Sequence, residues 1–236
     1  MKQIAKISGL AYLMIFITGI YSNFFILEKL TNSTDSVIIA ESILNNSQQL
    51  IYGLIGFSIM LIFDILLIWS LFAFLFKVNK RLAFLMSVFR FINAFAFGVA
   101  LLSLIEVYNV VVEHSSLSMI IALDLQDQVM LLLNRFDTIW AIGLLFFSIH
   151  LLFLGWLILK SKHIPNVFGL LIILASLGYL IDTIAALLLD NYSAYEDIFA
   201  IIVIMPAFIG ELSFTIWLLF YGFKRRSKSM KISLLN

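Results

Sequence analysis

The chain has 236 residues, of which 63% are hydrophobic and only 12% charged, and its mean hydropathy is +1.09. Soluble domains carry about 25% charged residues, so this composition excludes a soluble globular protein and predicts that lipid is the solvent. The chain has no cysteine, which excludes disulfides, thiolate metal sites and a cysteine nucleophile.

Six apolar stretches are long enough to cross a membrane, since a spanning helix needs ~20 apolar residues. They cover residues 5–27, 49–76, 82–112, 138–159, 165–189 and 198–223. The first stretch follows two lysines, but it is too long for a signal peptide and lacks a small-residue cleavage site, so we expect it to be retained. The sequence therefore predicts an all-α integral membrane protein, a single domain of six transmembrane helices over residues 1–236.

The positive charges lie at alternate ends of these stretches, although the formal net charge is only +1. Twelve of the fifteen Lys and Arg residues fall on one side: Lys2, Lys6, Lys77, Lys80, Arg81, Lys160, Lys162, Lys224, Arg225, Arg226, Lys228 and Lys231. Short loops rich in Lys and Arg stay in the cytoplasm. We therefore expect both the N-terminus (residues 1–4) and the basic C-terminal tail (residues 224–236) to be cytoplasmic. The cations are spread over four junctions, which favours membrane lipids as partners and argues against nucleic acid.

Two connections on the other side predict short helices in the outer interface. In the first, Asp35 or Ser36 can cap a helix that begins near Val37. In the second, residues 125–136 place apolar side chains on one face and polar side chains on the other. These two outer interfacial helices either seal the mouth of the bundle or form a lid over it.

Ionisable residues inside the spans are expensive to place in lipid, so they are the candidate functional residues. They are Asp64, Arg90, Glu106, His150, Asp182 and Glu211. A helix rises roughly 1.5 Å per residue, and counting from the nearest cytoplasmic cation puts four of them about 14 to 20 Å deep. These four, Asp64, Arg90, His150 and Glu211, form a central layer, whereas Glu106 and Asp182 lie nearer the outer side.

The central layer has an excess of acid over base. Arg90 can neutralise one carboxylate, most simply Asp64 on the adjoining arm of the same hairpin, and Asn93 points the same way one turn from Arg90. The second acid, Glu211, must then be protonated, paired with His150 as imidazolium, or bound to a cation. Pro206 one turn before Glu211 should free a backbone carbonyl there. Either these groups only fix the register of the helices, or they bind a ligand or handle protons.

The ligand-binding or proton-handling candidates are therefore Asp64, Arg90, Asn93, His150, Asp182 and Glu211. Glu106 and Tyr179 are secondary candidates. Tyr179 lies one turn before Asp182.

Several segments are similar to one known family. They are Ile7–Leu13, Val78–Leu82 with Phe89 and Arg90, His150–Gly155, Gly178–Asp182, and Gly210–Ser213 with Trp217. Together they resemble the bacterial membrane-protein family known as domain of unknown function 4386, over nearly the whole chain. The resemblance implies a multi-pass protein of a bacterial plasma (inner) membrane, and it implies no activity.

Three functions fit these features. The first, which we favour, is binding or transport of a small polar or amphiphilic ligand through the buried layer. The second is an intramembrane lipid-modifying enzyme in which His150, Glu211 and Asp64 or Asp182 hold a metal. The third is a non-catalytic membrane factor with structural ion pairs. No metal-binding spacing such as HxxxH occurs, so the sequence predicts no metal and no cofactor.

Overall fold

A computed structural model describes residues 1–33, 35–114, 122–189 and 191–224. These residues are helical almost throughout, and six helices are long and apolar enough to span a membrane. The prediction of an all-α, multi-pass membrane protein is confirmed. The predicted basic tail lies outside the described residues after Lys224.

The elements follow the predicted spans closely. They are α1 (Lys2–Ile20), a π-helical segment (Tyr21–Leu27), α2 (Glu28–Thr31), α3 (Ser36–Asn45), α4 (Ser47–Leu75), α5 (Lys80–His114), α6 (Ala122–Lys160), α7 (Asn166–Leu188), a 3₁₀ turn (Tyr192–Ala194) and α8 (Glu196–Phe223). The first span is longer than predicted, because α1, the π-helical segment and α2 form one continuous rod from Lys2 to Thr31.

The six spanning helices form a closed ring in chain order. Each of α4 to α7 packs on the next spanning helix, α8 packs on α1, and α1 packs on α4. We call the end of this ring that carries Lys2, Lys77, Lys160 and Lys224 the basic end. There a hydrogen bond of 2.9 Å from Lys2 Nζ to the carbonyl oxygen of Lys224 joins the start of α1 to the end of α8.

The two predicted outer helices have different outcomes. The first is α3, and it begins as predicted because the Asp35 side chain accepts a hydrogen bond of 2.8 Å from the Val37 N–H. The prediction of a second, separate helix is wrong, since residues 125–136 belong to the first turns of the continuous helix α6. No glycine or proline occurs between residues 122 and 142 to interrupt it. Its apolar face packs into the core instead of lying on a lipid surface.

Two apolar cores fill the ring, one in each half. The core of the basic half receives buried side chains from all six spanning helices. The core of the opposite half is built by the π-helical segment and α2 to α6, and no described residue of α7 or α8 belongs to it. The ring is therefore tightly closed near the basic end and less filled beside α7 and α8 in the other half.

Candidate functional site

A cavity of about 350 Å³ lies inside the ring between the two cores. All six spanning helices contribute to its wall. Its polar wall residues are Tyr12, Asn23, Asp64, Arg90, Asn93, Tyr179 and Glu211. Aromatic residues line the rest of the wall, among them Phe57, Phe97, Trp140 and Phe147. The cavity thus combines a small polar group with a large apolar surface, which is typical of binding sites for small molecules.

Arg90 is at the centre of the polar group. Its guanidinium forms an ion pair with the carboxylate of Asp64, and the two side chains are only 1% and 6% exposed. The rings of Tyr12 and Phe147 lie 5.3 and 5.5 Å from the guanidinium carbon, within the range of cation–π attraction. The hairpin of α4 and α5 therefore supplies the pair that the sequence predicts, and α1 and α6 hold it in place.

His150 contacts the same guanidinium, and its hydrogen bonds identify its protonation state. Its Nε2 atom lies 2.9 Å from an Arg90 N–H group, and its Nδ1 atom lies 2.8 Å from the Met86 carbonyl oxygen. Arginine only donates hydrogen bonds, and a carbonyl oxygen only accepts them. Nε2 must therefore accept and Nδ1 must donate, which assigns a neutral imidazole. The imidazolium partner considered for Glu211 is excluded by this arrangement.

Four buried polar atoms around the cavity make no hydrogen bond to the protein. They are Asp64 Oδ2, Arg90 Nε, Asn93 Oδ1 and the hydroxyl of Tyr12. The Asn93 amide is oriented by its Nδ2 group, which donates to the Gly143 carbonyl oxygen at 3.2 Å. A buried polar atom without a partner costs about 1 to 3 kcal/mol. Such a cluster is well suited to hydrogen bond with a polar group brought in from outside the chain.

Glu211 is the second carboxyl group in this wall, and it is buried at 6% exposure. Close packing of α8 on α7 positions it, because a Cβ on Gly210 would lie 2.8 Å from the Leu171 carbonyl oxygen. Its carboxyl group interacts with the Tyr179 hydroxyl and, electrostatically, with Arg90. Arg90 is the one cationic side chain among the described wall residues. The cavity therefore has two carboxyl groups for one permanent positive charge.

The cavity reaches the outer surface of the ring between α1 and α8, where its wall residues Ile20 and Phe208 are exposed. Phe16, Ile20 and Phe208 line both the cavity and an apolar groove of about 430 Å³ on the outer surface of these two helices. The described residues of that groove are all apolar except Tyr21. Near the basic end the same helices are in close contact, since a Cβ on Gly9 would lie 2.9 Å from Leu219. The opening therefore faces the membrane interior in the half away from the basic end.

A π-helical turn brings Asn23 into this wall. The N–H of Glu28 bonds to the Asn23 carbonyl oxygen five residues earlier, and such turns often occur at functional sites. The segment packs closely on α4, because a Cβ on Gly56 would lie 2.1 Å from Ser22 Oγ. Asn23 lies on the wall of the cavity.

Two predicted candidates, Asp182 and Glu106, lie outside the cavity wall. Asp182 accepts a hydrogen bond of 2.7 Å from the Tyr192 hydroxyl in the 3₁₀ turn. Glu106 forms an ion pair with Arg135, whose Nε also donates to Ser103 Oγ at 2.9 Å. Glu106 and Asp182 thus have different partners, and neither of them lines the central cavity.

Sequence reasoning missed most of the wall residues, among them Tyr12, Asn23, Trp140 and Phe147. Trp140 stacks on Phe97 with ring centres 3.8 Å apart. Apolar spans contain many aromatic residues that face lipid, so no pattern distinguished these rings. Asn23 did carry a signal, since it is the one amide side chain within residues 5–27.

The three metal ligands considered for an enzyme are not brought together by the described helices. Among the residues that the structure describes, no three His, Asp or Glu side chains are grouped so as to hold a metal ion. Both ring nitrogens of His150 are already engaged by Arg90 and Met86.

Comparisons with known proteins identify a family and add no activity. The family model that matches residues 7–222 is described as a domain of unknown function, DUF4386. A relative from Archaeoglobus fulgidus is 30% identical over 187 residues, which cover 79% of this chain and 94% of the relative, and it is called an uncharacterized protein. No solved structure matches the chain. The matched region includes every residue of the cavity wall, and the chain belongs to the DUF4386 family.

Proposed function

We propose that this protein binds an amphiphilic small molecule, whose polar head occupies the central cavity and whose apolar part extends toward the lipid. One observation carries the proposal: unpaired polar atoms and a surplus carboxyl group lie in an aromatic cavity that opens sideways. An ion pair that only held helices together would not need a cavity of this size beside it.

The polar atoms indicate the chemistry of the head. Asp64 Oδ2, Asn93 Oδ1 and the Glu211 carboxyl group can all accept hydrogen bonds, whereas Arg90 Nε donates one, so acceptors outnumber donors in the wall. With Arg90 already paired to Asp64, a second positive charge would balance Glu211. Phe147, Trp140 and Phe57 add ring faces that attract cations. We therefore infer a head that donates hydrogen bonds and carries a positive charge, as a protonated amine does.

The lateral groove supports entry from the lipid. A ligand that reaches the cavity past Phe16, Ile20 and Phe208 can leave its apolar chain in the groove. Binding alone fits this geometry, and release on another side would make the same site a step in transport. The basic end is proposed to face the cytoplasm, according to the distribution of Lys and Arg, so that the opening lies in the outer half of the membrane. The bacterial plasma membrane, implied by the family resemblance, remains a prediction.

The test uses three probes with the same ten-carbon chain: decylamine, decanol and decanoate. Each is titrated into the purified protein in detergent, and binding is followed by the fluorescence of Trp140, with Trp140→Phe to assign the signal. Decylamine is expected to bind best and decanoate worst. Glu211→Gln should reduce the preference for amine over alcohol by about tenfold or more, the value of one lost charge-assisted hydrogen bond.

Glu106→Gln is the matched control, because it removes a carboxylate of the same protein that lies outside the cavity wall. It should leave the preference unchanged. Equal binding of decylamine and decanoate, or an unchanged preference in Glu211→Gln, would contradict the proposal. If no probe binds while the wild-type protein remains folded, a non-catalytic membrane factor becomes the better description.

A further inference from the structure

A second pocket, of about 300 Å³, lies at the basic end of the bundle, away from the central cavity. It is formed where Met1 before α1, the end of α4 with its turn, the α6–α7 connection and the end of α8 meet. Phe74, Leu75 and Ile164 form a buried apolar floor, and Tyr221 lies beside it. The pocket is therefore a concave site built by four separate parts of the chain.

The rim of this pocket is rich in positive charge. Lys77, Lys160, Lys162 and His163 all line it. No Asp or Glu occurs within residues 65–105, 138–181 or 212–224, the stretches that contain its wall residues other than Met1. The described lysines of the rim form no ion pair with a carboxylate. Three ammonium groups around one concavity repel one another, and an anion between them would relieve that repulsion.

Neighbouring aromatic residues place this rim at the level of lipid headgroups. Trp156 and Phe76 are exposed on the bundle surface, and the Nζ atoms of Lys160 and Lys77 lie 5.7 and 6.0 Å from their rings. Tryptophan is enriched where a membrane meets water, and lysines at the ends of spanning helices extend toward the same level. An anion bound here would be at the depth where lipid phosphates lie.

We propose that this basic pocket binds a phosphate group, with Lys77, Lys160 and Lys162 as its cationic ligands. Lysine binds phosphate as a point charge with three donors, and basic pockets between spanning helices are known to take anionic headgroups. The phosphate can belong to an anionic lipid or to a soluble phosphate compound, and the apolar floor favours the lipid. The site is independent of the central cavity and of any ligand bound there.

The test measures binding of three probes to the whole protein in dodecyl maltoside: dihexanoyl phosphatidic acid, dihexanoyl phosphatidylcholine and inorganic phosphate. Native mass spectrometry counts the bound molecules, and the melting temperature reports the stabilisation that a bound ligand gives. One phosphatidic acid should bind per chain and outcompete phosphatidylcholine. Saturable binding of inorganic phosphate of equal strength would identify a soluble phosphate compound as the source and would also support the site.

Two triple variants separate the pocket from general surface charge. Lys77→Gln/Lys160→Gln/Lys162→Gln removes the rim, whereas Lys80→Gln/Arg81→Gln/Lys224→Gln removes the same charge at the same end without touching the pocket wall. Each lysine near a headgroup is worth roughly fivefold in affinity, so the first variant should weaken binding at least about tenfold and the second by less than about threefold. Equal losses in both variants would overturn the proposal.

A measurement on the wild-type protein applies even if the rim variant fails to fold. Amine-reactive labelling is followed by peptide mass spectrometry, with and without dihexanoyl phosphatidic acid. Lys77, Lys160 and Lys162 should be protected by the lipid, and Lys80 should react as before. Unprotected rim lysines at saturating lipid would overturn the proposal.

Discussion

Gly178 on α7 faces the carbonyl oxygen of Ile202 on α8, and a Cβ at Gly178 would lie 2.8 Å from that oxygen. Ile202 lies four residues before Pro206, whose ring nitrogen has no hydrogen to donate. Proline thus frees the Ile202 carbonyl, as the sequence predicts, and glycine on the neighbouring helix provides the space in which it lies.

Gly178→Ala should destabilise the protein, because the added methyl group meets a backbone oxygen that cannot rotate away. Overpacking of this kind costs about 1 to 3 kcal/mol, which we expect to appear as a melting temperature lower by several degrees. Gly98→Ala is the matched control, since its Cβ would lie 3.5 Å from Leu61 Cδ2, an ordinary contact. Equal effects of the two substitutions would contradict this account.

Asp64→Asn should destabilise the protein far more than its small change in shape suggests. It leaves the Arg90 charge buried without a counter-charge, and breaking a buried pair in this way costs about 3 to 5 kcal/mol. Arg90→Met in the Asp64→Asn background should recover much of the loss. A double-mutant cycle on the free energy of unfolding in mixed detergent measures the coupling; coupling near zero would mean that the pair contributes nothing specific.

The second ion pair offers a comparison with the same chemistry at different burial. Arg135 and Glu106 are 45% and 50% exposed, against 1% and 6% for Arg90 and Asp64. Glu106→Gln should therefore cost less than about 1 kcal/mol. A loss comparable to that of Asp64→Asn, measured by the same unfolding method, would contradict this expectation.

The protonation state of His150 can be observed directly. The chain has three histidines, so His114→Gln/His163→Gln leaves a single imidazole. Nitrogen-15 NMR of that protein should show a protonated Nδ1 and an unprotonated Nε2, as the contacts with Met86 and Arg90 require. Protonation at both nitrogens would contradict the assignment.

The sequence predicted the spans and the Arg90–Asp64 pair, because span length, charge side and hairpin connection limit which groups can meet. Counting residues also placed Glu211 and His150 at the depth of Arg90.

The rotation of each helix about its axis was not predictable, so the hydrogen bonds of His150 and the inward position of Tyr12 were missed. Asn23 lies in the π-helical segment, whose side-chain directions depart from those of an α-helix. The polar face of residues 125–136 suited either an interfacial helix or an extension of α6, and contacts with the core decided between them.

Closure of the ring between α1 and α8 has a consequence for biosynthesis. The helices leave the ribosome in order, so α4, α5 and α6 can bring Asp64, Arg90 and His150 together while α8 is still unmade. The face of α1 around Gly9, where Leu219 will pack, remains without its partner until the last span inserts. In a nascent chain the charged pair can therefore form early, whereas the cavity around that pair is completed only when α8 inserts at the end of translation.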